Sequence, residues 1–140
     1  MMFERFHTVR FSDCDPAGIV FFPQYLVMLN TNVECWFDTG VQVVSFSGLH
    51  RDLKMSVPTV HLECEFFAPS FHGDTLALQL RIARLGSSSL ALEHCFRDAA
   101  DGELRMQAKQ VLVWASMQTR QSEPWPDDIR KAMTPFLIST

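Results

Sequence analysis

Apolar residues recur along this chain with two different periods, and the change of period marks out its elements. Between residues 22 and 37 the spacing is helical: Leu26, Leu29, Val33, Trp36 and Phe37 share one face, and Phe22 and Tyr25 extend the stripe backwards. Pro23 suits the first turn of such a helix, because its missing N–H would have no intrahelical partner there. Gly40 is expected just past the last turn, as the residue that closes it. After Pro58 the period becomes two. Val60, Leu62, Cys64 and Phe66 alternate with His61, Glu63, Glu65 and Phe67. Leu76, Leu78, Leu80 and Ile82 repeat the alternation, as do Leu90, Leu92, His94 and Phe96. A further strand, about 103–116, turns apolar on both faces from Val111 to Ala115, which predicts cover on both sides or contact with another subunit. Residues 3–12 read as a strand, and 41–53 as a short helix and a loop. Pro124 to Lys131 reads as a rigid connector with a short capped helix. Turn chemistry falls at Phe71–Asp74, Gly86–Ser88 and Asp98–Gly102.

Most of these strands are apolar on one side only, so one sheet face needs covering, and the helix is the only large element that can cover it. The expected architecture is α+β: a curved antiparallel sheet of five to six strands wrapped around one long central helix. No repeat, low-complexity stretch or linker interrupts the chain, which predicts a single domain over 1–140. Its core runs over about 3–118 and a C-terminal extension over about 119–140.

Composition narrows the class. At 140 residues, 47% hydrophobic and 20% charged, the chain can bury a core without metal or disulfide support. Its net charge is 12 − 16 = −4 with no basic block, which removes the electrostatic footprint of nucleic-acid or acidic-membrane binding. No apolar run approaches the roughly 18 residues of a membrane span, and the N-terminus has no apolar h-region of a secretory signal. Cys14, Cys35, Cys64 and Cys95 are scattered without a CxxC pair, as expected of reduced thiols in a cytoplasmic protein. The five histidines show neither HxH nor HExxH spacing, so neither a metal nor any cofactor is expected.

Against that background one hexapeptide carries chemistry. Residues 13–18, Asp-Cys-Asp-Pro-Ala-Gly, precede the helix directly. The arrangement sets carboxylates at a helix mouth whose free N–H groups can hold a developing negative charge, as the attack on an acyl group requires. Asp13 is expected to organise the loop through Asx-type bonds, and Gly18 to make the turn or admit the acyl carbonyl.

Residues 13–25, Asp-Cys-Asp-Pro-Ala-Gly-Ile-Val-Phe-Phe-Pro-Gln-Tyr, together with Phe66-Phe67-Ala68-Pro69, Gly73-Asp74 and Arg84 to Ser89, resemble the 4-hydroxybenzoyl-CoA thioesterase family of the hot-dog fold. The resemblance spans about 5–118. It implies an acyl-CoA thioesterase, aryl-CoA substrates included, acting as a homodimer or homotetramer with sites at the subunit boundary. Asp15 matches the catalytic carboxylate, as nucleophile or as general base, and the backbone N–H of Phe22 matches the oxyanion donor. The Arg84–Ser89 turn resembles the region that contacts the CoA phosphates, with Gly86-Ser87-Ser88 where relatives can be arginine-rich. Candidate substrate contacts are Phe21, Tyr25 and Asn30 at and along the helix, Thr59 and His61 at the start of the strand after Pro58, and Arg84, Ser87 and Ser88 in the turn. Met28, Leu29 and Phe46 are candidates to line an acyl pocket. Two other functions fit the same fold: a non-catalytic acyl-CoA-binding module, and a dehydratase. The dehydratase would place its carboxylate on the helix, at Glu34, beside a histidine that the sequence does not supply.

Overall fold

The computed structural model describes residues 1–138; the last two residues of the expected extension lie outside them. Five antiparallel strands form the sheet, in the order β1 (Phe3–Thr8), β4 (Thr75–Leu85), β5 (Ser89–Asp98), β6 (Leu104–Val113), β3 (Thr59–Phe66). A short ribbon pairs β2 (Met55–Ser56) with β7 (Ala115–Ser116). Helix α1 (Phe22–Cys35) lies across the sheet. Helix α2 (Phe46–Arg51) follows it, and α3 (Asp127–Met133) closes the chain.

The alternation in sequence becomes the inner face. Leu76, Leu78, Leu80 and Ile82 of β4 are buried, as are Leu90, Leu92 and Phe96 of β5 and Met106, Ala108 and Leu112 of β6. Against them α1 buries Tyr25, Met28, Leu29, Asn32 and Val33. Each large side chain so buried stabilises the fold by about 1.5–3 kcal/mol, so this interface supplies much of the driving force. His94 and Gln110 are buried among these apolar residues, with His94 Nε2 at 2.9 Å from Gln110 Oε1. Gln110 Nε2 in turn donates to Thr59 Oγ1 at 2.9 Å.

Two expectations change, and a third is made definite. Gly40 is not the closing residue: the helix continues through a π-helical turn, Trp36–Val41, and Gln42 takes the left-handed conformation (φ 61°). Gly40 is required for space instead, since a Cβ there would stand 2.7 Å from Trp36 Cδ1. Phe22 leaves the core stripe: it is 59% exposed and meets Phe66 of the edge strand β3. The doubly apolar stretch finds much of its second cover within the chain: the Trp125 ring packs on Trp114 at 5.3 Å, and Trp114 and Ala115 are buried.

The segment after β7 is an arm that returns over the open end of the fold. Trp125, Ile129, Met133 and Phe136 are buried, with Phe136 edge-on to Trp36 at 5.6 Å. The arm ends beside β4, where the Ile138 N–H donates to the Ile82 carbonyl. No described helix is long and apolar enough to cross a membrane.

Candidate active site

The hexapeptide folds into a tight hairpin at the mouth of α1. Cys14 pairs with Val20, the Asp15 N–H donates to Ile19 O (2.9 Å), and the Gly18 N–H donates to Asp15 O (2.9 Å). Gly18 makes the reversal at φ +83°, a conformation that costs an L side chain about 1–2 kcal/mol. The two aspartates separate in role. Asp13 Oδ2 accepts from the Arg10 N–H and lies 2.9 Å from His7 Nε2, while its carbonyl accepts from the Phe21 N–H. Asp15 is half-buried and commits one oxygen, Oδ1, to the Ala17 N–H (2.9 Å). Its Oδ2 has no hydrogen-bond partner among the described residues.

The helix mouth supplies the electrophilic side. The Phe21 N–H is taken by Asp13 O, Pro23 has no N–H, and the Gln24 N–H folds back onto Phe21 O. That leaves the Phe22 N–H, at the first helical position, without an acceptor among the described residues. A free donor at the positive end of a 14-residue helix is a site for an oxyanion.

Beside it opens a cleft of about 280 Å³ lined by Ile19, Val20, Phe22, Tyr25, Phe66, Phe67, Ala68 and Pro69. Phe66 meets Phe22 edge-on at 6.2 Å and Tyr25 at 5.6 Å. Four aromatic rings make this wall suited to a flat, apolar acyl group. Tyr25 contributes its ring and not its hydroxyl, which donates to Ser70 Oγ at 2.9 Å; burial pushes the Tyr25 phenol up from its ordinary value.

A buried arginine holds the cleft's far side. Arg105 donates to Pro69 O, Ser70 Oγ, Asp74 Oδ2 (2.9 Å) and Asp98 Oδ2 (2.7 Å), and its Nε lies 2.8 Å from Glu103 Oε1. Burial works against its charge, but the surrounding carboxylates win and raise its pKa. Asp74 is held below the ordinary carboxylate range, first by the Phe71 N–H and then by Arg105, which together outweigh burial. Ser70 O accepts from the Val20 N–H, and Phe71 bridges to Ile19, so this cluster is tied directly to the hairpin that carries Asp15.

The fold puts Asp15 and Gly18 on the hairpin, Phe21 and Phe22 at the helix mouth it leads into, and Phe22 and Tyr25 in the cleft wall. Asn30 stands eight residues along the helix, about 12 Å from its mouth, and bonds Glu34 at 3.0 Å. Glu34 has no histidine partner among the described residues. His61 lies on the outer sheet face, paired with Glu63 at 2.9 Å, in a hollow of about 270 Å³ floored by Ala83, Ala91 and Val111. That hollow has no helix end and no hairpin, and the charges on its rim are mixed, with Lys109 beside Glu63 and Glu93. Thr59 sits at the irregular start of β3. Arg84 and Ser87 are exposed, and Ser88 is partly so, at the β4–β5 turn. Of the pocket candidates, Met28 and Leu29 are core residues, and Phe46 packs on Phe37 and His50. Sequence reasoning missed Phe66 and Phe67 as cleft residues, although two adjacent aromatics breaking a strand's alternation were a usable signal. It had no signal for Ser70 or Arg105, whose roles come from contacts 35 positions apart.

A curved antiparallel sheet around one helix, with a carboxylate hairpin and a free N–H at the helix mouth, defines a hot-dog protein built to handle acyl thioesters. The chain belongs to the Thioesterase-like superfamily, whose family profile matches residues 9–133. It is 30% identical over 124 residues to a 1,4-dihydroxy-2-naphthoyl-CoA hydrolase of Rippkaea orientalis, covering 87% of this chain and 88% of the relative. The crystal structure of a 1,4-dihydroxy-2-naphthoyl-CoA thioesterase from Synechocystis superposes with a TM-score of 0.87 at 25% identity, covering 96% of each chain. A gentisyl-coenzyme A thioesterase superposes with a TM-score of 0.80 at 28% identity, covering 91% of this chain and 98% of the relative.

Proposed function

We propose that this protein hydrolyses an acyl-CoA thioester, aryl-CoA included, to the free acid and CoA. The observation that carries the reading is a carboxylate oxygen without a partner (Asp15 Oδ2) on the hairpin that leads into α1, together with an open donor at that helix mouth (Phe22 N–H) beside an aromatic cleft. The thioester carbonyl would sit with its oxygen on the Phe22 N–H, where negative charge develops as the carbonyl carbon turns tetrahedral. Asp15 then either attacks that carbon, to give an acyl-enzyme that water hydrolyses, or removes a proton from the attacking water. In both routes the C–S bond breaks, the sulfur leaves as thiolate and takes up a proton, and water supplies the new C–O bond. The chemistry calls for no cofactor.

The aromatic wall supports an aryl acyl group, as do the aryl-CoA substrates in the names of the relatives above. The Ser87-Ser88 turn with Arg84 is our site for the CoA phosphates. An exposed edge strand, β3, supports a site completed by a second copy, in a homodimer or homotetramer. Four unpaired cysteines support a reducing compartment such as the cytoplasm. We take the chain as one domain with the C-terminal arm as its extension.

The test is release of free thiol from a panel of aryl, short, branched and long acyl-CoAs, with Asp15→Asn as control. Loss of a general base or nucleophile lowers turnover by about 10²–10⁴-fold. Acyl-CoA binding without thiol release by the wild-type protein, or wild-type rates from Asp15→Asn, would overturn the reading.

A further inference from the structure

The C-terminal arm is unexplained by the chemistry at the helix mouth, yet it spends its polar groups on one distant turn. The Trp125 N–H donates to Ser87 O (3.0 Å), and Trp125 Nε1 donates to Ser89 O (3.0 Å). Arg130 Nη1 donates to Gly86 O (2.7 Å). The Trp114 N–H, from the end of β6, donates to Ser88 O (2.8 Å). Every carbonyl from Gly86 to Ser89 thus accepts a donor from the arm or from the residue beneath it. Of the turn's own N–H groups, that of Gly86 closes back onto Ser89 O (2.9 Å). The N–H groups and hydroxyls of Ser87 and Ser88 have no acceptor among the described residues, and Ser87 is exposed. A Cβ at Gly86 would meet Ser89 Oγ, so that hydroxyl would have to turn aside.

Successive free N–H groups in a turn form a concavity that suits anionic oxygens. Charge alone does not make the site, since Asp127 and Asp128 of α3 offset Arg130 and Lys131 within the arm. What the arm adds is geometry: without its donors the Gly86 and Ser87 carbonyls would lose their partners and be free to rotate outward, while Ser88 O would keep Trp114 and Ser89 O the Gly86 N–H.

We propose that the C-terminal arm is a clasp that holds the Gly86–Ser89 turn in its phosphate-accepting conformation, with Trp125 and Arg130 as positioning residues for recognition of the carrier. The inference rests on the thioesterase reading above and on the assignment of this turn to the CoA phosphates. It makes the arm a determinant of KM for CoA-borne substrates, and a bystander to the chemical step.

The experiment compares one aryl acyl group on two carriers, CoA and N-acetylcysteamine, which lacks phosphates. Full-length wild type, Arg130→Met and Trp125→Phe are assayed; Trp125→Phe changes no charge and keeps a ring against Trp114. Each variant loses at least one side-chain hydrogen bond to the turn, so KM for the CoA thioester should rise about three- to tenfold. Its kcat should stay within about twofold, because Trp125 and Arg130 bond the turn and not the helix mouth, and the kinetics on the N-acetylcysteamine thioester should not move. Phe136→Leu, which loosens the arm at Trp36 and not at the turn, should leave the ratio of the two KM values at its wild-type level. An equal rise on both carriers, or an unchanged KM for the CoA thioester, overturns the clasp. If wild type hydrolyses neither thioester, the hydrolase reading fails instead, and equilibrium binding of CoA itself to wild type and Arg130→Met decides the clasp separately: weaker binding by the variant supports it, equal binding refutes it.

Discussion

Acidification should destabilise this protein through one histidine. His94 is fully buried, its Nε2 hydrogen-bonds Gln110 Oε1, and its Nδ1 has no partner. With Nε2 donating, the orphan is an acceptor; the opposite tautomer would strand a buried N–H, which folded proteins tolerate less. Burial lowers the pKa of His94 from 6.5 to about 4, only partly offset by the Gln110 bond. The unfolded chain therefore takes up a proton below pH 6.5 that the folded protein refuses until about pH 4. Stability is fully present above pH 6.5, falls through that window by about 1.4 kcal/mol per pH unit, and levels off below it. Over 6.5 − 4 = 2.5 units the loss is on the order of 3 kcal/mol. Asp74, with its depressed pKa, acts only below the ordinary carboxylate range and so outside the window. Urea unfolding at intervals from pH 7.5 to 4.5 reads the effect, as a midpoint shift of about 1–3 M for ordinary denaturant slopes. His94→Gln keeps a donor for Gln110 but cannot titrate, and its profile should be flat across the window apart from the background of other groups. Parallel slopes for wild type and His94→Gln would refute the reasoning.

Removing the guanidinium by Arg105→Met should cost about 3–5 kcal/mol, because Asp74 and Asp98 are left with unpaired charge under the cleft; a fall in Tm measured by calorimetry checks it, and an unchanged Tm contradicts it. The exposed β3 edge, with Val60 at 61%, Phe66 at 49% and Phe67 at 50% exposure, should be covered by a second copy. Light scattering at micromolar concentration should give the mass of a dimer or tetramer, and a monomer there would count against shared sites.

How much of this was legible depends on whether a feature is local. The helix from Phe22, the alternating strands and the three turns follow from periodicity and turn chemistry, which neighbouring residues set among themselves. The Asp-Cys-Asp-Pro-Ala-Gly hairpin is equally local, since Pro16, Gly18 and the Asp15 side chain close it within six residues. Sequence alone therefore determined that a carboxylate stands at a helix mouth in an α+β protein.

The rest was decided by contacts between distant segments. Pairing order left β3 at an edge and put Phe66 and Phe67 beside Phe22, which turned an expected core residue into a cleft wall. Arg105 became part of the site only because the loop 69–74 folds over it. Gly40 owes its place to the Trp36 ring and to Phe136 of the arm packed against it, and not to helix closure. The turn at Gly86 reads as a turn from its residues, but the donors its Gly86, Ser87 and Ser89 carbonyls find, Trp125 and Arg130, lie some forty positions on. Periodicity states which side of an element seeks cover. What covers it is settled by the packing of the whole chain, because burial energy is the same whichever apolar partner arrives.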